Sequence, residues 1–250
     1  MAAMTAIAKK TSQIVPWLCS LLVFAARTPG QSVNVTAQVE LRNSANTRMP
    51  NASEAVVWLS YLQGAETETS KTAAHPPDRL RLTQHNKSFD PHLLIVTVGS
   101  IVEFPNRDPF FHNVFSLFEG RRFDLGLYEA GRTRNVRFDR PGISYIFCNI
   151  HPEMSAVVIA LETPYSGVSN SRGEIVIPSV PSGRYAMHVW HQLALPETLS
   201  GLTREVGVSL SAPSLGVIRL TQSIVAQAHK NKYGRDYDPP APANPGYRHP

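Results

Sequence analysis

The sequence predicts an all-β protein. Short segments rich in Val, Ile and Phe recur along the 250 residues, and Gly, Pro, Asn and Asp separate them at short intervals. Such alternation of β-branched and aromatic segments with turn residues is typical of antiparallel sandwiches and barrels. The chain also contains 20 prolines, which disfavour long helices because proline has no backbone N–H to donate.

The first two predicted strands differ in how much of their surface is covered. Apolar and polar residues alternate over residues 33–41, which indicates a half-buried strand. Residues 55–62 are apolar on both faces, which indicates a strand covered on both sides. Residues 64–78 are rich in Thr, Ser and Ala, and we interpret them as a linker.

Two further groups of strands follow the linker. The first group is dense and regularly punctuated by turns, with strands predicted at residues 80–83, 93–98, 101–104, 114–117, 135–138, 143–148 and 156–161. The second group is smaller, with strands predicted at residues 174–177, 184–190, 203–210 and 215–221. Residues 221–230 are compatible with one helix, and the Pro-rich residues from 233 onward with an extended or disordered tail.

Residues 1–31 are predicted to be an export signal peptide. Lys9 and Lys10 form the charged end, and residues 14–26 form an apolar core. A membrane-spanning helix needs about 20 apolar residues, so this core is too short to span; a membrane-anchoring N-terminal helix is the alternative. We therefore expect only transient membrane contact through the signal peptide, and a periplasmic or secreted protein.

The formal charge of +5 does not indicate nucleic-acid binding. Three of the 24 basic residues lie in the first 31 positions, which contain no acidic residue, and this leaves 21 basic against 19 acidic residues. The remaining excess lies in the segment from residue 229 onward. The middle of the chain is therefore close to neutral and offers no basic face for phosphate groups.

The two cysteines point to a metal site. Cys19 lies in the predicted signal peptide, so the exported protein retains Cys148 alone, whose thiol is free, bonded to another molecule or bound to a metal. Cys148 opens a Cys-x2-His-x2-Met motif with His151 and Met154, directly after an apolar strand. A thiolate, an imidazole and a weak thioether suit copper, and His112 is the best candidate for a second imidazole.

The motif and its surroundings resemble the cupredoxins. The residues that carry the resemblance are Phe104-Pro105-Asn106-x-Asp108, His112-Asn113-Val114-Phe115-Ser116, Phe138-Asp139-x-Pro141-Gly142 and Phe147-Cys148-x-x-His151-Pro152-x-Met154. The short loop is similar to that of amicyanin, and the chain also resembles plastocyanin-like exported proteins of the methylamine-utilisation-like type. The resemblance implies a Greek-key β-sandwich over residues 78–163 that holds one type 1 copper. It implies His112, Cys148 and His151 as equatorial ligands and Met154 as the axial ligand.

The flanking segments resemble a carboxypeptidase regulatory-like β-sandwich. Two stretches carry this resemblance, residues 49–59 and residues 168–185. It implies a second small sandwich, discontinuous in sequence, that is built from residues 33–65 together with residues 165–222. The cupredoxin domain would be inserted into it, and residues 223–250, the helix and Pro-rich tail, would lie outside both.

Other interpretations of the cysteine motif stay open. A buried core cysteine beside a histidine, a Cys–His nucleophile and a zinc site use the same residue types, although none of them needs Met154. Among copper proteins, multicopper oxidases flank this cysteine with histidines, whereas this chain has Phe147 and Asn149 there. A binuclear site would need a second cysteine in the loop. One mononuclear site favours a one-electron carrier over an enzyme.

The sequence thus predicts an exported electron-transfer protein that cycles one copper between Cu(I) and Cu(II). The alternatives are a copper-binding carrier or sensor without redox turnover, and a structural adhesion module whose metal site is vestigial. The redox partner protein is not identified by the sequence. We expect Asn113 to tie the two ligand loops together. His188 and His191 lie on opposite faces of a predicted strand, so we do not expect them to bind one metal jointly.

Overall fold

The computed structural model of the protein describes residues 32–63, 80–117, 120–222 and 229–237. Within these residues the chain forms sixteen strands and one short helix, which confirms the predicted all-β class. The elements are β1 (Ser32–Arg42), β2 (Val56–Gln63), β3 (Thr83–His85), β4 (Ser88–Asp90), β5 (Leu93–Thr97), β6 (Ile101–Pro105), β7 (His112–Ser116), β8 (Phe123–Tyr128), β9 (Thr133–Arg137), β10 (Gly142–Cys148), β11 (Ser155–Leu161), β12 (Ser166–Val168), β13 (Glu174–Pro181), β14 (Gly183–Trp190), α1 (Pro196–Leu202), β15 (Arg204–Val208) and β16 (Ser214–Thr221).

The strands that carry the predicted ligands lie in one five-stranded sheet, in the order β5-β11-β10-β7-β8. Strands β7 and β10 are antiparallel neighbours, and Cys148 lies opposite Val114. Side chains two residues apart point to the same face of a strand, so His112, Val114 and Cys148 share one face. Because β7 begins at His112 and β10 ends at Cys148, both side chains lie at the same end of the sheet.

Strand β11 shows why this sheet is buried on both faces. Its successive side chains point to opposite faces, and Val158 enters one apolar cluster while Val157 and Ile159 enter another. All of its residues after Ser155 are buried. The continuous apolar run at the end of the predicted copper-binding domain therefore forms a strand with no solvent face.

The face that carries Cys148 packs against the antiparallel ribbon of β6 and β9. Phe104 of β6 and Val136 of β9 are buried in the same apolar cluster as Cys148 and Met154. The sheet and the ribbon thus enclose a common core, as the two layers of a β-sandwich do.

The strands before and after this sandwich pair with each other. Strand β1 lies between β13 and β16, and β2 lies between β12 and β14. Val57 and Leu59 of β2 are buried in the cluster that these two sheets share, whereas Val56 packs with Trp190 and Ile159 in the cluster beneath the five-stranded sheet. The first half of strand β2 is therefore covered on both sides, as its sequence predicts, whereas Leu62 near its end is 46% exposed. The domain boundaries at residues 33–65, 78–163 and 165–222, and the carboxypeptidase regulatory-like family of the flanks, stay predictions.

The sequence does not reveal every strand. Strand β8 was not predicted because Gly126 interrupts its apolar pattern, and its Leu127 is exposed. Strands β4 and β12 are three residues long, which is too short to show an alternation. The strand predicted at residues 80–83 is wrong in its bounds. Arg81 makes only an isolated bridge with Glu103, and strand β3 begins at Thr83.

Helix α1 also lies outside the sequence predictions. It has Pro196 at its start and Glu197 in its first turn, both of which favour a helix N-terminus, but seven residues are too few to display a helical period. The predicted signal peptide falls on residues outside the described ranges, as does most of the helix predicted at 221–230. None of the helices in the described ranges is long and apolar enough to cross a membrane.

Candidate metal centre

Three potential metal-donor atoms meet at one end of the five-stranded sheet. Cys148 Sγ lies 3.6 Å from His112 Nδ1 and 3.6 Å from His151 Nδ1, and the two Nδ1 atoms are 3.2 Å apart. Cys148 and His112 are fully buried, and His151 is partly exposed. The described part of the chain contains one group of His, Cys, Asp and Glu side chains close enough to share a metal, and it consists of these three residues.

Asp108 fixes the orientation of the buried His112 ring. One carboxylate oxygen of Asp108 lies 2.8 Å from His112 Nε2, and the carboxylate also accepts hydrogen bonds from the backbone N–H groups of Asn86 (2.6 Å) and Lys87 (3.0 Å). A carboxylate accepts hydrogen bonds, so Nε2 carries the proton and Nδ1 presents its lone pair to the other donors. Burial raises the pKa of Asp108, but the hydrogen bonds from Lys87, His112 and Asn86 outweigh it and the pKa is lowered.

Main-chain hydrogen bonds hold the loop that follows β10. The Cys148 N–H donates to the carbonyl oxygen of Met154 (3.3 Å), and the Met154 N–H donates to that of His151 (3.1 Å). The Asn149 N–H donates to the carbonyl oxygen of Asn113 (2.9 Å), so the backbone of Asn113 ties this loop to β7. Met154 is fully buried in the same cluster as Cys148; its assignment as the axial ligand stays a prediction.

Burial is the main influence on the ionisation of Cys148 and His151. Burial raises the pKa of the Cys148 thiol, although the backbone N–H groups of Ile150, Asn113 and His151 oppose the shift. Burial, and next the proximity of His112, lower the pKa of His151. A bound cation would favour the thiolate over the thiol, and it would keep the imidazole neutral.

The aromatic residues around the site divide into two kinds. The Phe110 ring packs against both imidazoles, with centroids 5.3 Å from His112 and 5.5 Å from His151. Phe111, in contrast, is 51% exposed. Phe110 therefore excludes water from the ligands, whereas Phe111, which precedes His112 in the chain, lies on the surface.

A thiol, two imidazole nitrogens and a buried thioether in the same core form the donor set that copper accepts. The residues present thus fit the metal that the cupredoxin resemblance implies. His188 and His191 do not join them: His188 stacks on Trp58 with ring centroids 5.1 Å apart, and His191 lies beyond the end of β14 and accepts a hydrogen bond from the Leu193 N–H.

Two groups of residues that contact the site are not predicted from the sequence. Asp108 stands in the motif that carries the resemblance, and its position four residues before His112 is the signal that could have assigned its role. His229 and Tyr237 contact the Cys148 loop from the C-terminal segment. No local sequence pattern indicates that contact, because it joins residues about 80 positions apart.

The chain matches no protein-family profile and no curated protein. Among solved structures, it is similar to a purple cupredoxin from Nitrosopumilus maritimus, with 20% identity and a TM-score of 0.30 over 33% of this chain and 99% of that one. A mutant of amicyanin in its reduced state shows 21% identity and a TM-score of 0.31 over 34% of this chain and 83% of that one. The copper-containing nitrite reductase of Thermus scotoductus shows 26% identity and a TM-score of 0.33 over 35% of this chain, and the match spans 23% of the reductase.

Proposed function

We propose that this protein is an exported, mononuclear type 1 copper protein that carries one electron at a time and is not an enzyme. The observation that supports the proposal is the convergence of Cys148 Sγ with His112 Nδ1 and His151 Nδ1, at separations of 3.2–3.6 Å. In the proposal these three residues hold the copper, and Met154 is its weak axial ligand.

Copper bound there would supply a one-electron couple between Cu(I) and Cu(II). The residues of the chain supply a rigid frame. Cys148 ends a strand buried on both faces, and Asp108 holds the His112 ring from behind. A frame that holds its donors in place in both oxidation states keeps the structural change on electron transfer small.

The partly exposed His151 edge is the proposed contact with a redox partner protein. Ile150, which precedes His151 in the chain, is 45% exposed, and Phe111, which precedes His112, is 51% exposed. Exposed apolar side chains around a buried polar site are typical of a protein-docking surface. Export, to the periplasm or out of the cell, rests on the signal peptide predicted at residues 1–31.

Reconstitution with Cu(II) tests the proposal directly. The metal-loaded protein should show an intense blue thiolate-to-copper absorption band with one copper per chain. Cys148→Ser and His112→Gln should remove the band, whereas the control His85→Gln, at an exposed position on β3, should retain it. A colourless copper-loaded protein would refute the type 1 assignment.

Voltammetry then distinguishes electron transfer from copper delivery or sensing. A carrier should give a reversible one-electron wave and retain its copper through repeated cycles. Loss of the metal on reduction to Cu(I), with transfer to a chelator, would favour the delivery alternative instead.

A further inference from the structure

Residues 229–237, here named the C-terminal clasp, lie against the loop that carries Cys148 and His151. Within the described residues this segment forms turns and bends. We propose that the clasp positions the metal-binding loop, with His229 and Tyr237 as positioning residues that restrain opening of the loop around the Cys148 thiol. The proposal rests on the proposed function only in its assignment of the loop to a metal.

Two side chains of the clasp hydrogen-bond to backbone carbonyls within the loop. His229 Nε2 donates to the Pro152 carbonyl oxygen at 2.7 Å, and the Tyr237 hydroxyl donates to the Cys148 carbonyl oxygen at 2.8 Å. The hydroxyl also lies 3.2 Å from His229 Nδ1, and the two rings are nearly perpendicular. His229 and Tyr237 thus link Cys148 and Pro152, the first and fifth residues of the loop.

The ring of His229 also packs on the strand that leads into the loop. It stacks on Phe147 with centroids 4.0 Å apart and planes inclined by 21°. Adjacent side chains of a strand point to opposite faces, and Cys148 faces the core. The clasp therefore covers the face opposite the thiol, and the strand end lies between the core and the clasp.

Lys232 anchors the clasp at a third point. Its backbone N–H donates to Asn149 Oδ1 at 3.0 Å, and its ammonium lies 2.9 Å from an Asp124 carboxylate oxygen. The other Asp124 oxygen accepts a hydrogen bond from Asn113 Nδ2 at 2.6 Å. Through Asp124 the clasp is thus linked to β7, the strand that begins at His112.

Three of the hydrogen bonds of the clasp act directly on the loop. Cys148, Asn149 and Pro152 each receive a hydrogen bond from the clasp. Exposure of the buried Cys148 sulfur requires a local opening of the loop, and breaking these hydrogen bonds adds to the free energy of that opening.

The labelling rate of Cys148 in the metal-free protein tests the clasp. A thiol reagent is added to the full chain, and the label at Cys148 is quantified by peptide mass. Tyr237→Phe removes one hydrogen bond and keeps the ring, and His229→Phe removes one hydrogen bond and keeps the stack. Each should label about fivefold faster, the factor that corresponds to about 1 kcal/mol for one hydrogen bond. Arg235→Lys, which keeps the charge at an exposed position of the same segment, is the control.

The urea midpoint of each variant separates local from global effects. Faster labelling of the two variants with an unchanged midpoint supports the clasp. Equal labelling rates in all the proteins, or faster labelling that only follows a lowered midpoint, would overturn it.

A copper-loaded measurement adds a readout that a purely structural tail would not change. Loss of copper to a chelator should be about fivefold faster in Tyr237→Phe and in His229→Phe than in the wild type, and unchanged in Arg235→Lys. Equal rates of copper loss in every variant would count against the clasp. A chain that takes up no copper refutes the proposed function, while the labelling of Cys148 still decides the role of the clasp.

Discussion

Asp108→Asn isolates the contribution of the carboxylate behind His112. In the wild type, three N–H groups converge on two carboxylate oxygens: the Asn86 N–H reaches one oxygen, and the Lys87 N–H and His112 Nε2 reach the other. An amide replaces one of these oxygens with a donor. Whichever way the amide is turned, its NH2 group faces at least one N–H at hydrogen-bond distance.

The magnitude of this effect follows from the burial of the pair. Asp108 is 4% exposed and His112 is 0% exposed, so water does not replace the lost hydrogen bond. A buried donor left without an acceptor costs about 1–3 kcal/mol, which corresponds to roughly a 5- to 150-fold change in affinity. Loss of the partner of a metal-binding histidine typically weakens metal binding by about 10- to 100-fold, in the same range.

Competition with a chromophoric chelator measures the copper affinity of Asp108→Asn against the wild type. Asp139→Asn, a change at a half-exposed carboxylate, serves as the control and should retain wild-type affinity. We expect the blue band of the Asp108 variant to persist at saturating copper, because the variant retains all four proposed ligands. An unchanged affinity in Asp108→Asn would refute the inference that this carboxylate positions the His112 ring.

Three further predictions concern the axial ligand, an acidic residue and a close packing contact. Met154→Gln should retain the thiolate band and lower the potential measured by voltammetry, because an amide oxygen favours Cu(II) over Cu(I); a raised potential would contradict the axial assignment. Hydrogen bonds from Asn113, Lys232 and the backbone lower the pKa of Asp124 despite burial. The ionised carboxylate should therefore stabilise the folded protein above the unfolded-state pKa of about 3.9. This stabilisation should be lost as the pH falls through the lower folded-state pKa. Urea unfolding across pH should therefore show a stability gap between the wild type and Asp124→Asn that narrows in acid, and a gap that widens in acid would contradict it. A Cβ at Gly167 would lie 2.7 Å from atoms of the facing strand β13, so Gly167→Ala should lower the free energy of unfolding by about 1–3 kcal/mol. A Cβ at Gly207 meets no atom within 4 Å, so the control Gly207→Ala should change that free energy by less than about 0.5 kcal/mol. Equal effects of the two substitutions in urea unfolding would contradict the packing of β12 on β13.

Local patterns were sufficient to predict most strands and the three donor residues that meet. Strand β10 is an apolar run that ends at Cys148, and the spacing to His151 fits the short loop that follows it. The position of His112 at the start of a strand makes it a candidate ligand, but its proximity to Cys148 depends on the pairing of β7 with β10. Sequence alone suggests that pairing only through the cupredoxin resemblance.

Contacts between distant segments were beyond local patterns. The stack of His229 on Phe147 depends on how the chain returns after β16, which no periodicity encodes. Likewise, the continuous apolar run of β2 indicates two covered faces, but it does not indicate that Val56 packs against Ile159. A pattern of burial predicts that a face is covered, whereas the identity of the covering element depends on the tertiary arrangement.

The layering of the sheets restricts the directions from which a redox partner can approach the proposed copper. On one face of the five-stranded sheet, Cys148 is buried beneath the β6–β9 ribbon. The other face is covered by β2 and β14, where Trp190 is 4% exposed, and His229 covers Phe147 at the strand end. Of the three converging donors, His151 is the one that is partly exposed. Because electron transfer slows steeply with distance, a carrier with this architecture would exchange its electron through the His151 edge.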